Sequence, residues 1–403
     1  MRGWTRGNVI MINRLHGMTL AALLVLATLA EAQTFTTLYS FTGGADGNLP
    51  EAGVIQDAAG NLYGTTWWGG YQHDYPFGYG VVYEVNSSGT ETVLHTFCTP
   101  SQCYVGNYDG MWPITAVVRD KAGNFYGTTN GGVDYGTVFK IDPKGNETVL
   151  YNFYRGSGSA GCLPAQGLIT DNSGNLFGTT SECGSTGYPG SGTIFKMDSA
   201  GTLTVLHTFV GSDGAYPYYG HLAMDRNGVL YGVTAMGGAY NAGVLYKLTK
   251  DGRFAVLHSF GGTSDGCYPW GTVAMDKTGN LYGTTHSCGS HGYGTIWKVS
   301  TKRKETILRN FAGYPSDGCY PFASVAQDSK GALYGVTSGC GANNWGALYE
   351  LSASGKLTLL HSFSGTDGEY PYGEVLLTAK GKLFGTTTSG GAYGYGTVWS
   401  YVP

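Results

Sequence analysis

The sequence predicts an all-β fold, a seven-bladed β-propeller with four antiparallel strands in each blade. The first observation is a repeat: an aromatic-Gly-[Thr/Val]-Thr tetrapeptide begins at Tyr63, Tyr126, Phe177, Tyr231, Tyr282, Tyr334 and Phe384. The second is that each repeat contains four short runs of β-branched and aromatic residues, separated by Gly, Asn and Asp turn clusters. The third is that no helical periodicity of useful length follows residue 33. Four-stranded units repeated in this way form a propeller.

The four runs of each repeat, named strands a to d in chain order, are clearest in the fifth repeat. Strand a ends before Asp276, and strands b, c and d fall within residues 280–285, 294–299 and 306–311. An Asp-x-x-Gly turn joins strands a and b in six repeats, where Asp caps the turn and Gly adopts a positive φ. These aspartates are Asp57, Asp120, Asp171, Asp225, Asp276 and Asp328, and the seventh repeat has Thr378 instead. We expect them to form turns rather than to act in catalysis.

The last repeat lacks a strand d. It stops at residues 396–402 after three strands, while residues 35–41 near the start of the chain match strand d of other repeats, such as residues 256–260. We therefore expect the N-terminal strand to complete blade seven, which would leave no unpaired final edge.

The first 32 residues have the pattern of a signal peptide. Three arginines precede an uninterrupted apolar and small run at residues 18–30, and small residues surround an expected cleavage before Gln33. That run is too short to span a bilayer, and no second run of spanning length follows. The sequence thus predicts a signal peptide at 1–32, a propeller at 33–403, an extracytoplasmic location, secreted or periplasmic, and no membrane span.

The overall charge excludes a nucleic-acid binder. The chain has a formal net charge of −4 and only 12% charged residues, so it has no basic field that would attract phosphates.

The cysteines predict disulfide bonds, because their number is even and the chain is expected to be exported. Three pairs are each 21 residues apart: Cys162 and Cys183, Cys267 and Cys288, and Cys319 and Cys340. One member lies in the loop from strand d to the next strand a (a d-to-a loop), and the other lies in a b-to-c loop. Both kinds of loop emerge on one side of the ring, because successive strands reverse direction. Cys98 and Cys103, in an insertion of the second repeat, are expected to pair as well.

Repeats one, four and seven lack both members of such a pair. The first position holds Asn48, Ala215 or Glu369, and the second holds Gly69, Gly237 or Gly390. The joint presence and joint absence of the two cysteines support the pairing.

The motif at residues 125–140 is Phe-Tyr-Gly-Thr-Thr, then a Gly-Gly-rich loop, then Tyr-Gly-Thr-Val-Phe-Lys. It resembles the GloVer-type tandem repeats of bacterial choice-of-anchor proteins, and the resemblance covers essentially the whole mature chain. The resemblance implies an exported repeat protein without an assigned activity, so it carries over no catalytic residue. Many members end in a sorting or anchoring tail, whereas here Pro403 directly follows the last predicted strand, and we expect no surface anchor. The a-to-b pattern is also loosely similar to NHL and gluconolactonase-like propellers, which is an analogy of fold alone.

No familiar nucleophilic, phosphate-binding or metal-binding motif occurs, so we expect no cofactor and no metal. Histidines of strand d recur in a Leu-His-[Ser/Thr]-Phe motif and are expected to be structural: His95, His207, His258 and His361. Other histidines break the repeat symmetry and are the candidates for an enzyme site: His73, His221, His286 and His291.

The d-to-a loops repeat a carboxylate, an aromatic residue and a Pro. Aromatic platforms beside carboxylates suit sugars, whose C–H faces stack on rings while their hydroxyls need hydrogen-bond acceptors. The candidate ligand-binding residues are Asp109, Trp112, Asp213, Tyr216, Asp265, Tyr268, Asp317, Tyr320, Asp367 and Tyr370. The structural alternative is that the aromatic residues pack between blades and that the aspartates cap turns.

Three functions follow as hypotheses. The first is a secreted, monomeric, non-enzymatic binding or scaffold protein that recognises a glycan or a protein through the disulfide-braced loops, because near-equivalent units suit multivalent binding. The second is a lactonase-like hydrolase or a lyase with a site at the mouth of the central channel, which a convergent cluster of symmetry-breaking His, Asp or Glu around the axis would favour. The third is a purely structural envelope protein.

Overall fold

A computed structural model describes residues 33–71, 76–99, 109–132, 134–154, 159–184, 190–315 and 317–403. In these ranges the chain forms seven sheets of four antiparallel strands and contains no helix, which confirms the predicted propeller. The predicted signal peptide at 1–32 lies outside the described residues. No helix within the described ranges is long and apolar enough to cross a membrane.

The strands follow the predicted order a-b-c-d in every blade. Strand a is formed by Ile55–Gln56, Val118–Arg119, Ile169–Thr170, Ala223–Met224, Ala274–Met275, Ala326–Gln327 and Leu376–Leu377. Strand b is formed by Leu62–Thr66, Phe125–Thr129, Leu176–Thr180, Leu230–Thr234, Leu281–Thr285, Leu333–Thr337 and Leu383–Thr387. Strand c is formed by Val81–Val85, Thr137–Ile141, Thr193–Met197, Val244–Leu248, Thr295–Val299, Ala347–Leu351 and Thr397–Val402. Strand d is formed by Glu91–Thr96, Glu147–Asn152, Leu203–Thr208, Phe254–Ser259, Glu305–Asn310, Leu357–Ser362 and, for blade seven, Thr34–Ser40. Gly318–Cys319 and Gly339–Cys340 form an additional short pair.

The Gly of the repeated tetrapeptide makes room for an aromatic ring on the neighbouring strand. Gly64 of strand b pairs with Tyr83 of strand c, and a Cβ at Gly64 would lie 2.4 Å from the ring's hydroxyl oxygen. In blade five Gly283 faces Trp297 in the same way. Both rings are fully buried, so the missing side chain and the large ring together fill one space in the core. This packing explains why Gly recurs in strand b.

The first Thr of the tetrapeptide connects one blade to the next. Its hydroxyl donates to a backbone carbonyl in the segment that leads into the following strand a, as Thr284 Oγ1 does to Ala323 O at 2.9 Å. Thr386 of blade seven donates in the same way to Ala52 O of blade one at 2.8 Å. The same side-chain bond therefore helps to close the ring.

The N-terminal strand completes blade seven, as predicted. Thr34–Ser40 pairs antiparallel with Thr397–Val402. The Phe35 ring stacks on the His361 ring of blade six at 3.7 Å between centroids, and Phe41 is fully buried in a cluster shared by blades seven and one. The first and last strands of the described chain are thus held in the same sheet.

Three predicted disulfides are confirmed: Cys162–Cys183, Cys267–Cys288 and Cys319–Cys340, with Cα–Cα distances of 5.3, 5.4 and 5.3 Å. Each joins a d-to-a loop to the b-to-c loop of the same blade. Cys103 lies outside the described residues, so its pairing with Cys98 stays a prediction.

The second cysteine of each bridge occupies a left-handed backbone position. Cys288 has a φ of 62°, and Gly237 at the equivalent position of blade four has a φ of 79°. A Cβ at Gly237 would lie 2.4 Å from the carbonyl oxygen of Gly211 in the facing loop. This position therefore takes glycine or a cysteine bonded to that loop.

Candidate functional site

The predicted loop aspartates are bound within their own loops. His95, His207, His258 and His361 of strand d lie 2.8–3.0 Å through Nε2 from a carboxylate oxygen of Asp109, Asp213, Asp265 and Asp367, in that order. Asp317 instead accepts from Arg309 Nε at 3.1 Å. The second oxygen accepts backbone N–H groups of the loop, as Asp265 does from Gly261 and Gly262. In this structure the carboxylates hold the d-to-a loops in shape.

The predicted loop aromatic residues are distributed one to a blade. Trp112, Tyr216, Tyr268, Tyr320 and Tyr370 all have positive φ values between 53° and 62°. Their N–H groups donate to the preceding blade, as Tyr268 N does to Ala242 O at 3.0 Å. Tyr320 is 36% exposed, and the other four rings are half-buried. The structure does not bring these five rings together into one site.

The candidate histidines have different surroundings. His73 lies outside the described residues. His291 is exposed in the b-to-c loop of blade five. His286 lies between rings, 4.2 Å from Trp270 and 5.2 Å from Tyr320 between centroids, and burial lowers its pKa to about 4. His221 alone among the described candidates lines the central channel.

A cluster of aromatic rings that the sequence analysis missed lies at the mouth of the channel. We call Tyr219, Trp270, Phe322 and Tyr372, which come from blades four to seven, the aromatic arc. The ring centroids of Phe322 lie 4.5 Å from Tyr219, 4.7 Å from Trp270 and 4.5 Å from Tyr372. All four side chains are half-buried, so each leaves part of a ring open.

The arc follows from one position in the repeat, the residue after the loop Pro. Blades five, six and seven place Trp270, Phe322 and Tyr372 there. Blade four has one extra residue, since Pro217 and Asp225 are eight positions apart, against seven for Pro269 and Asp276. Tyr219 takes up the extra residue with a φ of 59°. The residue after the loop Pro was therefore the sequence feature from which the arc could have been predicted.

Blade one places a carboxyl group, Glu51, at the same position. Together with Tyr219, Phe322 and Tyr372 of the arc, it lines a cavity of about 200 Å³. Glu51 has no hydrogen bond or ion pair with any described residue, and burial raises its pKa to about 7. Burial, and then the negative charge of Glu51, raise the pKa of Tyr219 and Tyr372. The carboxyl group is therefore near these phenols and free to meet a ligand.

An ion pair crosses the channel axis. His221 Nε2 of blade four lies 3.0 Å from Glu374 Oε2 of blade seven, and the other Glu374 oxygen accepts from Thr272 of blade five. Blades four and seven are not neighbours, so this contact spans the axis. Burial opposes the charge of His221, but the carboxylate of Glu374 outweighs it and raises the histidine's pKa to about 9. His221 Nδ1 lies 3.1 Å from Leu222 O, so both ring nitrogens have partners.

The loop face differs in composition from the rest of the propeller. The d-to-a and b-to-c loops together contain a single Lys or Arg, Arg155. The same loops contain Asp46, Glu51, Asp74, Asp109, Asp134, Glu182, Asp213, Asp265, Asp317, Asp367, Glu369 and Glu374. Large apolar side chains that are exposed in the described ranges also all lie in these loops: Phe77, Tyr154, Val210, Met236, Tyr240, Tyr314, Tyr320, Tyr393 and Tyr395. This face is therefore aromatic, acidic and nearly free of cations.

One group in the described part of the chain has the spacing of a cation site. Ligand atoms of His258, Asp265 and Glu305 lie within 4.8 Å of one another between blades four and five. Asp265 already accepts from His258, Gly261 and Gly262, so we interpret the group as part of the contact between the blades.

A family model described as the Gloeobacter/Verrucomicrobia repeat matches residues 24–190 and 164–399. No protein of curated function matches the chain.

Solved structures match the chain at low sequence identity. The extracellular domain of a putative one-component system from B. thetaiotaomicron is 10% identical with a TM-score of 0.56, and the match covers 90% of this chain and 39% of that one. A putative gluconolactonase is 11% identical with a TM-score of 0.45 and 92% coverage of both chains. A gluconolactonase from Xanthomonas campestris is 15% identical with a TM-score of 0.40, covering 66% of this chain and 78% of that one. At 10% identity the match to the extracellular domain shows likeness of fold alone.

Proposed function

The chain belongs to the Gloeobacter/Verrucomicrobia repeat family, and from the geometry of its channel mouth we propose that it is an exported carbohydrate-binding propeller. The observation that carries the proposal is the aromatic arc beside Glu51. Half-open rings present flat faces to the C–H groups of a sugar, and a free carboxyl group accepts hydrogen bonds from its hydroxyls. The cavity of about 200 Å³ is small, so we expect it to hold one sugar unit of a longer chain.

The surroundings support a preformed site. Two disulfides join the d-to-a loops that carry Trp270 and Phe322 to the b-to-c loops of the same blades. The bound aspartates of the d-to-a loops fix the same segments from within. A site held in this way loses little conformational entropy when it binds a ligand. The disulfides also fit an extracytoplasmic protein.

The test is a glycan-array screen of the purified protein, followed by titration calorimetry with the best ligand. Replacing Trp270 or Phe322 by Ala removes one stacking ring, and we expect the affinity to fall about tenfold for each variant. Tyr240→Ala is the matched control, because this ring is 67% exposed on the same face but outside the arc. Equal losses in all three variants, or no glycan bound by the array, would contradict the proposal.

A hydrolase at the channel mouth is the second candidate, and Glu51 is the observation that favours it. A carboxyl group with a pKa of about 7 can donate or accept a proton near neutral pH. His221 and Glu374 also break the repeat symmetry at the axis, but they bind each other, and both nitrogens of His221 are occupied. The test is mass spectrometry of oligosaccharides incubated with the protein and with Glu51→Gln. Cleavage by the unaltered protein but not by Glu51→Gln would establish this function.

A further inference from the structure

The unpaired carboxyl group of Glu51 restricts which carbohydrate suits the site. A carboxylate in a partly desolvated cavity is costly unless a positive charge or a hydrogen-bond donor meets it. No described residue supplies either one to Glu51. Arg309, in strand d near the loop face, is already bound to Asp317, and Arg155 is the single Lys or Arg in the loops themselves.

The aromatic arc also favours a positively charged ligand. The faces of Trp and Tyr rings attract cations through their quadrupoles, and this attraction strengthens where water is excluded. The loop face as a whole carries twelve carboxylates and one Lys or Arg, so an acidic sugar would be repelled over the entire approach to the mouth.

We propose that the ligand is an amine-bearing carbohydrate, whose ammonium group pairs with Glu51 while its ring stacks on the aromatic arc. This inference rests on the proposed function. Uronic acids and sulfated sugars are excluded by the same charges. The groups that face Glu51 do not neutralise it: blade four contributes Tyr218, Tyr219 and His221, and blade seven contributes Tyr372 and Glu374. His221 and Glu374 cancel each other's charge, and the phenols remain neutral because burial raises the pKa of each.

The test compares glucosamine oligomers with N-acetylglucosamine oligomers of the same length by titration calorimetry at pH 7. The acetyl group of the second oligomer removes the charge on nitrogen, and we expect the free amine to bind about tenfold more tightly. In Glu51→Gln, which keeps the size of the side chain, this preference should disappear while weak binding of both oligomers remains. A galacturonic acid oligomer should not bind.

A permanently charged probe isolates the role of Glu51. An N-trimethylated glucosamine oligomer carries its charge at every pH, so a change in its affinity reports the protein alone. Because the pKa of Glu51 is about 7, this probe should bind more tightly at pH 8 than at pH 6, and Glu51→Gln should abolish the difference. A trilysine peptide tests whether charge without a sugar ring is enough, and equal binding of this peptide would overturn the proposal.

The outcomes separate the two proposals. If acetylated and free-amine oligomers bind equally and Glu51→Gln changes neither, the amine preference is wrong and carbohydrate binding stands. If neither oligomer binds and no other glycan does, both proposals fail. If Trp270→Ala weakens both oligomers while Glu51→Gln weakens the amine alone, both are supported.

Discussion

His221 of blade four and Glu374 of blade seven join opposite sides of the ring, with 3.0 Å between Nε2 and Oε2. This ion pair links two blades that are not neighbours in the ring. His221 keeps its proton up to about pH 9 in the folded chain, against 6.5 for an ordinary histidine. Its contribution to stability is therefore complete below pH 6.5 and is lost as the pH rises through 9. Glu374 contributes above its ordinary pKa of 4.5, and this contribution is lost on acidification.

We therefore expect Glu374→Gln to lower the free energy of unfolding most between about pH 5 and 6.5, by about 1 kcal/mol after allowance for solvent screening in the channel. The loss should shrink toward about pH 9 and above, where His221 is neutral in both proteins. Chemical denaturation across this range measures it. Glu84→Gln is the control, because Glu84 has no ion pair within the described residues. A constant loss for Glu374→Gln would contradict the ion pair.

The two cysteines of blade five can be replaced by the residues that blade four has at the same positions. Blade four has Ala215 and Gly237 where blade five has Cys267 and Cys288. Both double variants of blade five lose the bridge, which costs about 3 kcal/mol. We expect Cys267→Ala/Cys288→Gly to be about 1 kcal/mol more stable than Cys267→Ser/Cys288→Ser, because Ser is strained at a positive φ. Denaturant unfolding of the two variants checks this. Equal stabilities would show that the positive φ of Cys288 does not disfavour Ser there.

The blades could be predicted from the sequence because their signals are local and repeated. The Gly of strand b, the Asp-x-x-Gly turns and the paired cysteines each recur at a fixed place, and the missing seventh strand d pointed directly to Thr34–Ser40. Repetition also directed the site prediction to the loop aspartates and their neighbouring aromatic residues. The loop aspartates recur in six of the seven d-to-a loops because they fix the shape of the loop, as the bond between His258 and Asp265 shows.

The channel residues escaped prediction because each occurs once. Glu51, Tyr219 and Glu374 depart from the repeat, and their relationships join blades that are far apart in the chain. Tyr219 reaches Phe322 across blade five because of one extra residue in blade four. Such contacts depend on the closed ring, which brings distant repeats to one axis, so the position after the loop Pro identifies the residues of the arc but not the contacts between them.

Removal of the N-terminal strand tests how the ring is closed. Deleting residues 33–41 exposes the edge of strand c in blade seven and removes Phe35 and the fully buried Phe41. We expect a large loss of thermal stability and aggregation through the exposed edge. Phe35→Ala in the full-length chain keeps the strand but removes the stacking on His361, and it should lower the melting temperature without causing aggregation. A deletion variant that melts like the intact chain would contradict the role of this strand.

Carboxyl groups at the start of strand d lie against the preceding blade. Glu147 of blade two faces Asp109, which is held by His95. Its Oε1 is buried and has no hydrogen-bond partner within the described ranges. Blade four has Phe254 at this position, and its ring stacks on His207 at 3.8 Å. An apolar side chain thus serves the same contact without a charge.

Glu147 should make the stability of the propeller decline with rising pH. Burial, and then the charge of Asp109, raise its pKa from 4.5 to about 8. The stability is therefore highest below pH 4.5, where the carboxyl group is protonated in both states, and falls as the pH rises toward 8. Glu147→Gln should match the unaltered protein near pH 5 and exceed it at about pH 8.5, by about 1–2 kcal/mol after allowance for solvent screening. Melting curves at both pH values measure this. Glu147→Leu, which introduces the residue that blade three has at this position, Leu203, should also be more stable than the unaltered protein at the higher pH. A stability difference that does not change with pH would mean that Glu147 is ionised at both pH values.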